Sequence, residues 1–221
     1  MVTELILQVV IGDHNIEEER ETVLAEDSIS LAGYKIHPYY NHRSGSLKHD
    51  ICLLELTRDV NLNIYTPACL ARAEDRKSFY NKFAWAYGEI MTCTCWKGDW
   101  TSGWGLTEEG GRMSNSLQQV MLRVVRPRVC RRKFRTMTSG MICAGGQEGK
   151  DSCQSDSGGP LTVRSGSGQH VLIGVNSHGH IAGCGSEGYP GVFTRISRYR
   201  TWIERNMKSP RYCSRGLDTD Q

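Results

Sequence analysis

The stretch Asp151-Ser152-Cys153-Gln154-Ser155-Asp156-Ser157-Gly158-Gly159-Pro160 decides how the rest of the chain is read. A serine that attacks a carbonyl needs an exposed hydroxyl on a tight turn, with backbone N–H groups aimed where negative charge develops. Ser157 has that setting. Gly158 and Gly159 follow it and let the backbone approach a ligand closely. A bare Ser-Gly-Gly is usually a polar surface loop; the full ten-residue string with its downstream context points to acyl transfer instead.

Working outward, short apolar runs at residues 5–11, 51–56, 118–125, 172–175 and 191–196 have strand length and are bounded by Gly, Pro, Asn or Ser. Residues 198–207 differ: Tyr199, Trp202, Ile203 and Asn206 recur at helical spacing, which predicts a short closing helix. The tail, 208–221, carries Pro210 and Gly216 and little apolar content, and is expected to be disordered apart from Cys213. The fold class is therefore all-β with a C-terminal helix. A net charge of +3 is too small to imply nucleic acid, and no apolar run approaches the roughly 20 residues that span a bilayer. Nine cysteines, spread along 221 residues, fit a disulfide framework in an oxidising compartment, with an odd thiol left over. Residues 1–10 lack a basic start and a cleavage site and include Glu4, so they are no export signal. The simplest resolution is that the chain begins late.

The nucleophile string resembles that of the chymotrypsin/trypsin family of serine proteases, the family in which the Ser-His-Asp triad was worked out. The resemblance extends from about residue 9 to 207. It implies two antiparallel β-barrel lobes, the first truncated, from roughly residues 2–72 and 83–196, and a secreted serine endopeptidase. His49-Asp50-Ile51-Cys52-Leu53-Leu54-Glu55-Leu56 looks like the strand that carries the triad aspartate, which makes Asp50 the partner of Ser157. The resemblance puts the oxyanion hole at the backbone of Ser155 and Ser157. Asp156 becomes the acid that receives the new amino terminus after zymogen cleavage. Asp151, six residues before Ser157, matches the anion that selects Lys or Arg. Asn176-Ser177-His178-Gly179 and Pro190-Gly191-Val192-Phe193 resemble the walls of that pocket, giving Ser177, Gly179 and Gly191 as further substrate-binding residues. The partners implied are protein substrates cut after Lys or Arg. Cys130 with Cys143 and Cys153 with Cys184 match family disulfides. Cys69 matches the cysteine that links many members to a propeptide or light chain. Cys52 is expected to be a thiol in the buried strand. No cofactor is required, although Asp13, Asn15 and Glu26 resemble a calcium loop.

The chain also departs from the family. The family's Ala-Ala-His-Cys block, which holds the triad histidine, has no counterpart, and neither does its Ile-Val-Gly-Gly-like start. None of His14, His37, His42, His49, His170, His178 and His180 has the required flanks. His49 adjoins Asp50 but should diverge from it, as alternate strand residues do. His178 stands where the family usually has Trp, on the substrate-binding strand and not beside Asp50. Ser155 replaces a family glycine. Ala84 and Val163 replace both members of a family disulfide. Residues 89–103, with Cys93 and Cys95, interrupt a family-like Gly-Trp-Gly; retained intron sequence, a genuine surface insertion and a Cys-x-Cys metal site are the readings open. The basic run Arg123, Arg126, Arg128, Arg131, Arg132, Lys133 and Arg135 reads as a solvated face before it reads as a polyanion site. The chain as written is therefore expected to be inactive. The competing reading is a non-catalytic homologue that acts as a binding module.

Overall fold

The computed structural model describes residues 7–15, 17, 27–77, 79–87, 106 and 110–207. Residues 89–103, the tail from 208, and Glu26 lie outside them.

Two sheets form. The first is an antiparallel meander of β1 (Gln8–Ile11), β2 (Asp27–Ile36) and β3 (Cys52–Leu56). The second is built from β4 (Cys69–Leu70), β5 (Phe83–Tyr87), β6 (Gln119–Val125), β7 (Met141–Gly145), β8 (Pro160–Arg164), β9 (His170–His178) and β10 (Pro190–Arg195). Its order is β10-β7-β6-β5-β8-β9-β4, and β10 pairs again with β9, so six antiparallel strands close into a barrel. Closure leaves those six strands without open edges.

The sequence pattern explains the barrel. Along β6, Leu122 and Val124 are fully buried while Met121 and Arg123 face out, the period of two that a half-covered strand requires. The inner face continues with Ile142, Ala144, Leu161, Ile173 and Phe193. Gly174 sits where strands crowd: a Cβ there would lie 2.9 Å from Phe193 Cβ. Ala84 and Val163, where the family has a disulfide, are both buried in this core. The β5–β8 register, Trp85 opposite Thr162 and Ala86 opposite Leu161, sets them face to face when continued by one residue.

Two helices complete the fold. Pro127 at the first turn and an extended Arg126 before it start α1 (Pro127–Lys133), whose buried Cys130 is bonded to Cys143 of β7. The sequence led us to expect only a closing helix, because seven residues with one buried side chain give no apolar stripe. The closing helix, α2 (Ile196–Asn206), starts two residues earlier than its periodicity suggests. Its Ile196, Tyr199 and Ile203 pack with Ile51, binding the first sheet to the barrel. Arg200 Nη1 donates to the Leu70 carbonyl at 2.7 Å. β4 pairs in parallel with β9, so the boundary of the first lobe falls before residue 69 rather than at 72. Among the described residues that first lobe is a three-stranded sheet beside the closed barrel.

Candidate active site

The turn that presents Ser157 is held from both sides. Within it, Asp156 N–H donates to the Cys153 carbonyl at 3.1 Å and Gly159 N–H to the Asp156 carbonyl at 3.1 Å. From β9, Asn176 accepts from Gly158 N–H at 2.9 Å through its carbonyl and donates its own N–H to Gly159 at 2.8 Å. Its buried side chain donates to the Asp156 carbonyl at 2.9 Å and accepts from Ser152 Oγ at 3.3 Å. Ser157 itself is exposed. Among the described residues, neither the Ser155 nor the Ser157 N–H donates to a protein acceptor. Ser155 has φ 73° and Gly158 φ 93°, so a Cβ stands at a left-handed position where the family uses glycine.

Asp50 is brought to the same place by the next residue of β9. Ser177 Oγ donates to Asp50 Oδ2 at 2.7 Å, and Thr194 Oγ1 to the Asp50 carbonyl at 2.6 Å. Asn176 and Ser177, consecutive, thus tie the Ser157 turn and Asp50 to one strand end. Burial pushes the Asp50 carboxyl above its ordinary value, opposed by the Ser177 hydroxyl and by His178. The hydroxyl of Ser177, expected at the substrate, is committed to Asp50.

The histidines are accounted for differently than the sequence suggested. His49 does diverge from Asp50, but the cause is its left-handed backbone, φ 59°, ahead of β3 rather than the strand pleat. Its ring stacks on His37 at 4.9 Å and meets the Tyr199 hydroxyl at 3.1 Å. His178 ends β9 as expected, yet it is beside Asp50 after all. Its Nδ1 is 3.1 Å from Ser177 Oγ, and with that hydroxyl donating to Asp50, the His178 Nδ1–H is the group that can donate to it. Burial lowers the His178 imidazole from its ordinary value, and Asp50 works against that. The His178 ring also abuts Phe134 edge-on at 5.8 Å.

Beside Ser157 opens a cavity of ≈ 350 Å³ lined by Asp151, Ser157, His178, Gly179 and Cys184 among others. Asp151 accepts from Ser152 N–H at 3.0 Å and from Gly185 N–H at 3.3 Å. Burial pushes its carboxyl up to about 6, the two N–H groups oppose this, and the nearby Asp156 adds to it. A Cβ on Gly191 would lie 3.0 Å from Asp151 Oδ1, so a side chain there would crowd the carboxylate. A Cβ on Gly179 would meet nothing within 4 Å, so that glycine keeps a rim open without being required by packing. The Cys153–Cys184 disulfide ties the Ser157 turn to the opposite wall.

Asp156 Oδ2 accepts from Cys153 N–H at 2.7 Å and lines a second cavity of ≈ 210 Å³ behind the turn, with Gln118, Val120 and Pro160. Cys69 is buried and disulfide-bonded. Cys52 is in no disulfide and is half-buried rather than buried. At the end of β1, Asn15 Oδ1 accepts from Glu17 N–H at 3.2 Å. Among the described residues no three His, Cys, Asp or Glu side chains converge on a metal position, and Glu26 lies outside them.

The Trypsin family profile matches residues 2–203. Canine chymotrypsin-like elastase family member 1 (Canis lupus familiaris) is 34% identical over 210 residues, covering 93% of this chain and 73% of its own. Coagulation factor IX of Cavia porcellus is 36% identical over 89% of this chain and 63% of its own length. Among solved structures, neuropsin, a serine protease expressed in the limbic system of mouse brain, superposes with a TM-score of 0.70 at 30% identity, over 90% of this chain and 78% of that one. A profile match over nearly the whole chain, joined by a relative a third identical across most of both lengths, places this chain in the trypsin family of serine proteases.

Proposed function

We propose that the chain is the protease unit of an extracellular endopeptidase that cleaves proteins after Lys or Arg through an acyl-enzyme at Ser157. The observation that carries this reading is the half-buried Asp151 carboxylate in the cavity that Ser157 borders. A long cationic side chain entering that cavity meets an anion already desolvated, where a charge-assisted hydrogen bond is strong. The scissile carbonyl then lies over Ser157, and its oxygen takes the N–H groups of Ser155 and Ser157 as negative charge develops. Asp50 is the carboxylate that would orient an imidazole and stabilise it once protonated. The described contacts of His178 run to the Ser177 hydroxyl and the Phe134 ring, and those of His37 and His49 to each other and to Tyr199; with these histidines engaged away from Ser157, these 221 residues on their own should show no useful turnover. Without a base Ser157 is a weak nucleophile, and oxyanion stabilisation alone leaves about 10³–10⁴-fold over water. Asp156 and the cavity behind it suit a new amino terminus that orders the turn. A link from Cys69 to a propeptide or light chain would have to replace the disulfide that Cys69 already makes. The disulfides fit an oxidising, extracellular setting. The second reading, a non-catalytic binding module, is favoured by the commitment of His37, His49 and His178 to other partners.

The test uses benzamidine, a mimic of the arginine head group, titrated into the chain and into Asp151→Ser. Binding should weaken by about two orders of magnitude in the variant, as a lost buried charge pair of about 3 kcal/mol requires. Unchanged binding would refute the pocket. Steady turnover of a Lys or Arg ester by the chain, abolished in Ser157→Ala, would show that a base exists among these residues.

A further inference from the structure

Residues 110–147 contain eight basic side chains, Arg112, Arg123, Arg126, Arg128, Arg131, Arg132, Lys133 and Arg135, and no Asp or Glu. In a chain of net charge +3 this is a strong segregation of charge. The structure gathers much of it on α1. Arg128, Arg131 and Arg132 stand at i, i+3 and i+4, on the side away from buried Cys130, and all three are exposed. Arg126 joins Arg128 and Arg131 around a surface hollow of ≈ 510 Å³ floored by Tyr80 and Pro127. None of these arginines takes part in an ion pair among the described residues. Lys133 is turned elsewhere, its Nζ 4.0 Å from the Tyr189 ring centroid. Phe134, just past the helix, points to His178 and His180 of the cleft, so the arginine face lies outside the cleft. Guanidinium groups one helical turn apart repel one another, and an anion with several charges at similar spacing relieves that repulsion at every one.

We propose that the arginine face of α1, with Arg126 and the hollow beside it, docks a sulfated polysaccharide as an exosite separate from the cleft. Three observations select this partner. The planar fork of arginine matches tetrahedral oxyanions two oxygens at a time, and the face holds arginines rather than lysines. The Cys130–Cys143 and Cys153–Cys184 disulfides fit the oxidising extracellular setting of the proposed function, on which this choice rests and where sulfated polysaccharides occur and anionic cytoplasmic leaflets do not. Tyr80, the aromatic of the hollow, already faces the Arg195 guanidinium 5.8 Å from its ring centroid, and Val129 is the helix's one exposed large apolar side chain, so the described face offers neither a row of free rings for successive bases nor an apolar wedge for a lipid surface.

The experiment measures binding of a heparin octasaccharide to the full chain across a salt series. It is repeated with the triple variant Arg128→Gln/Arg131→Gln/Arg132→Gln and with a charge-matched control on β2 and the β2–β3 connection, Lys35→Gln/Arg43→Gln/Lys48→Gln, whose residues are also exposed. The α1 variant should lose at least tenfold in affinity at physiological salt, and its log–log salt slope should fall by about 2 to 3, one counterion for each lost contact. The control should stay within about twofold of the parent. All substituted side chains are exposed, and equal thermal midpoints establish that the variants fold. Equal losses in both variants would reduce the effect to net charge and overturn the proposal. So would full binding of the desulfated octasaccharide, or equally tight binding of a DNA duplex of matched charge or of phosphatidylserine vesicles.

Discussion

Acidification should weaken the binding of a cation beside Ser157, and the expected size follows from one carboxyl group. Asp151 is pushed up to about 6 in the empty pocket, mainly by burial. At pH 7.5 it is about 97% ionised and at pH 5 about 9%, so benzamidine affinity should fall about tenfold between the two. An aspartate at the ordinary 3.8 would lose only about 6% of its charge over that range, which makes the experiment decisive. The linkage runs in a definite direction. A raised folded-state value means stability fully present below 3.8 and lost as pH rises through about 6, on the order of 3 kcal/mol. A cation in the pocket reverses this by favouring the ionised form, so benzamidine should raise the melting temperature more at pH 8 than at pH 5. Isothermal titration at half-unit intervals checks the profile, with Asp151→Asn expected to bind weakly and without pH dependence. His178 borders the same cavity and is itself held below its ordinary value, so His178→Gln should leave the midpoint near 6. Affinity constant within twofold from pH 7.5 to 5 would refute the reasoning, as would a midpoint that moves with His178.

Three further outcomes are expected. Ser155→Gly relieves a left-handed backbone that costs about 1–2 kcal/mol and gives back about 0.5–1 kcal/mol of chain entropy, so the midpoint of thermal unfolding should rise by about 1–4 °C; a fall would mean that the Ser155 side chain stabilises the turn. Ser177→Ala removes the donor at 2.7 Å from Asp50 Oδ2 and should destabilise the chain by about 1 kcal/mol in urea near neutral pH, with a smaller loss at pH 4, where Asp50 is more often neutral; an equal loss at both pH values would assign the effect to packing. Removing the Cys130–Cys143 bond by paired Ser substitutions frees a 13-residue separation and should cost about 3 kcal/mol in the same assay, the value that closure of a loop of this length gives.

Fold and site were legible in the sequence to different depths. Strands β6, β9 and β10 are legible because their information is local, alternation in β6 and strand-length apolar runs in β9 and β10, whereas β5, β7 and β8 are not among the runs read from the sequence and become strands in the assembled sheet. Helix α1 was hidden, since its one buried residue, Cys130, gives no periodicity, and what orders it is a proline start and a disulfide to another strand. The edge strand β4 was hidden for a related reason. Two residues cannot carry a pattern, and Cys69 and Leu70 become a strand only because β9 offers them a partner 102 residues later. Closure of the barrel through the β9–β10 pairing is likewise a property of the assembled sheet.

At the site, the sequence singles out Ser157, Asp50 and Asp151 because each has a recognisable neighbourhood, and the structure gathers Ser157 and Asp151 on one cavity. What the motif could not convey is how they are held. Asn176 and Ser177 were read as a pocket wall. In the structure they also receive, one after the other, the Ser157 turn and Asp50, and the Ser177–Asp50 contact spans 127 residues. A hydroxyl that donates to a carboxylate can still accept, and His178 is the neighbour placed to donate to it. The chain therefore keeps Asp50 hydrogen-bonded through Ser177, with His178 turned to that same hydroxyl and to Phe134. That arrangement explains how a desolvated carboxylate persists in these 221 residues: a buried acceptor left bare would cost about 1–3 kcal/mol or more, and the Ser177 hydroxyl removes most of that cost. It also makes Asp50 compatible with either proposed role, since an imidazole supplied from outside this segment would find the carboxylate already oriented.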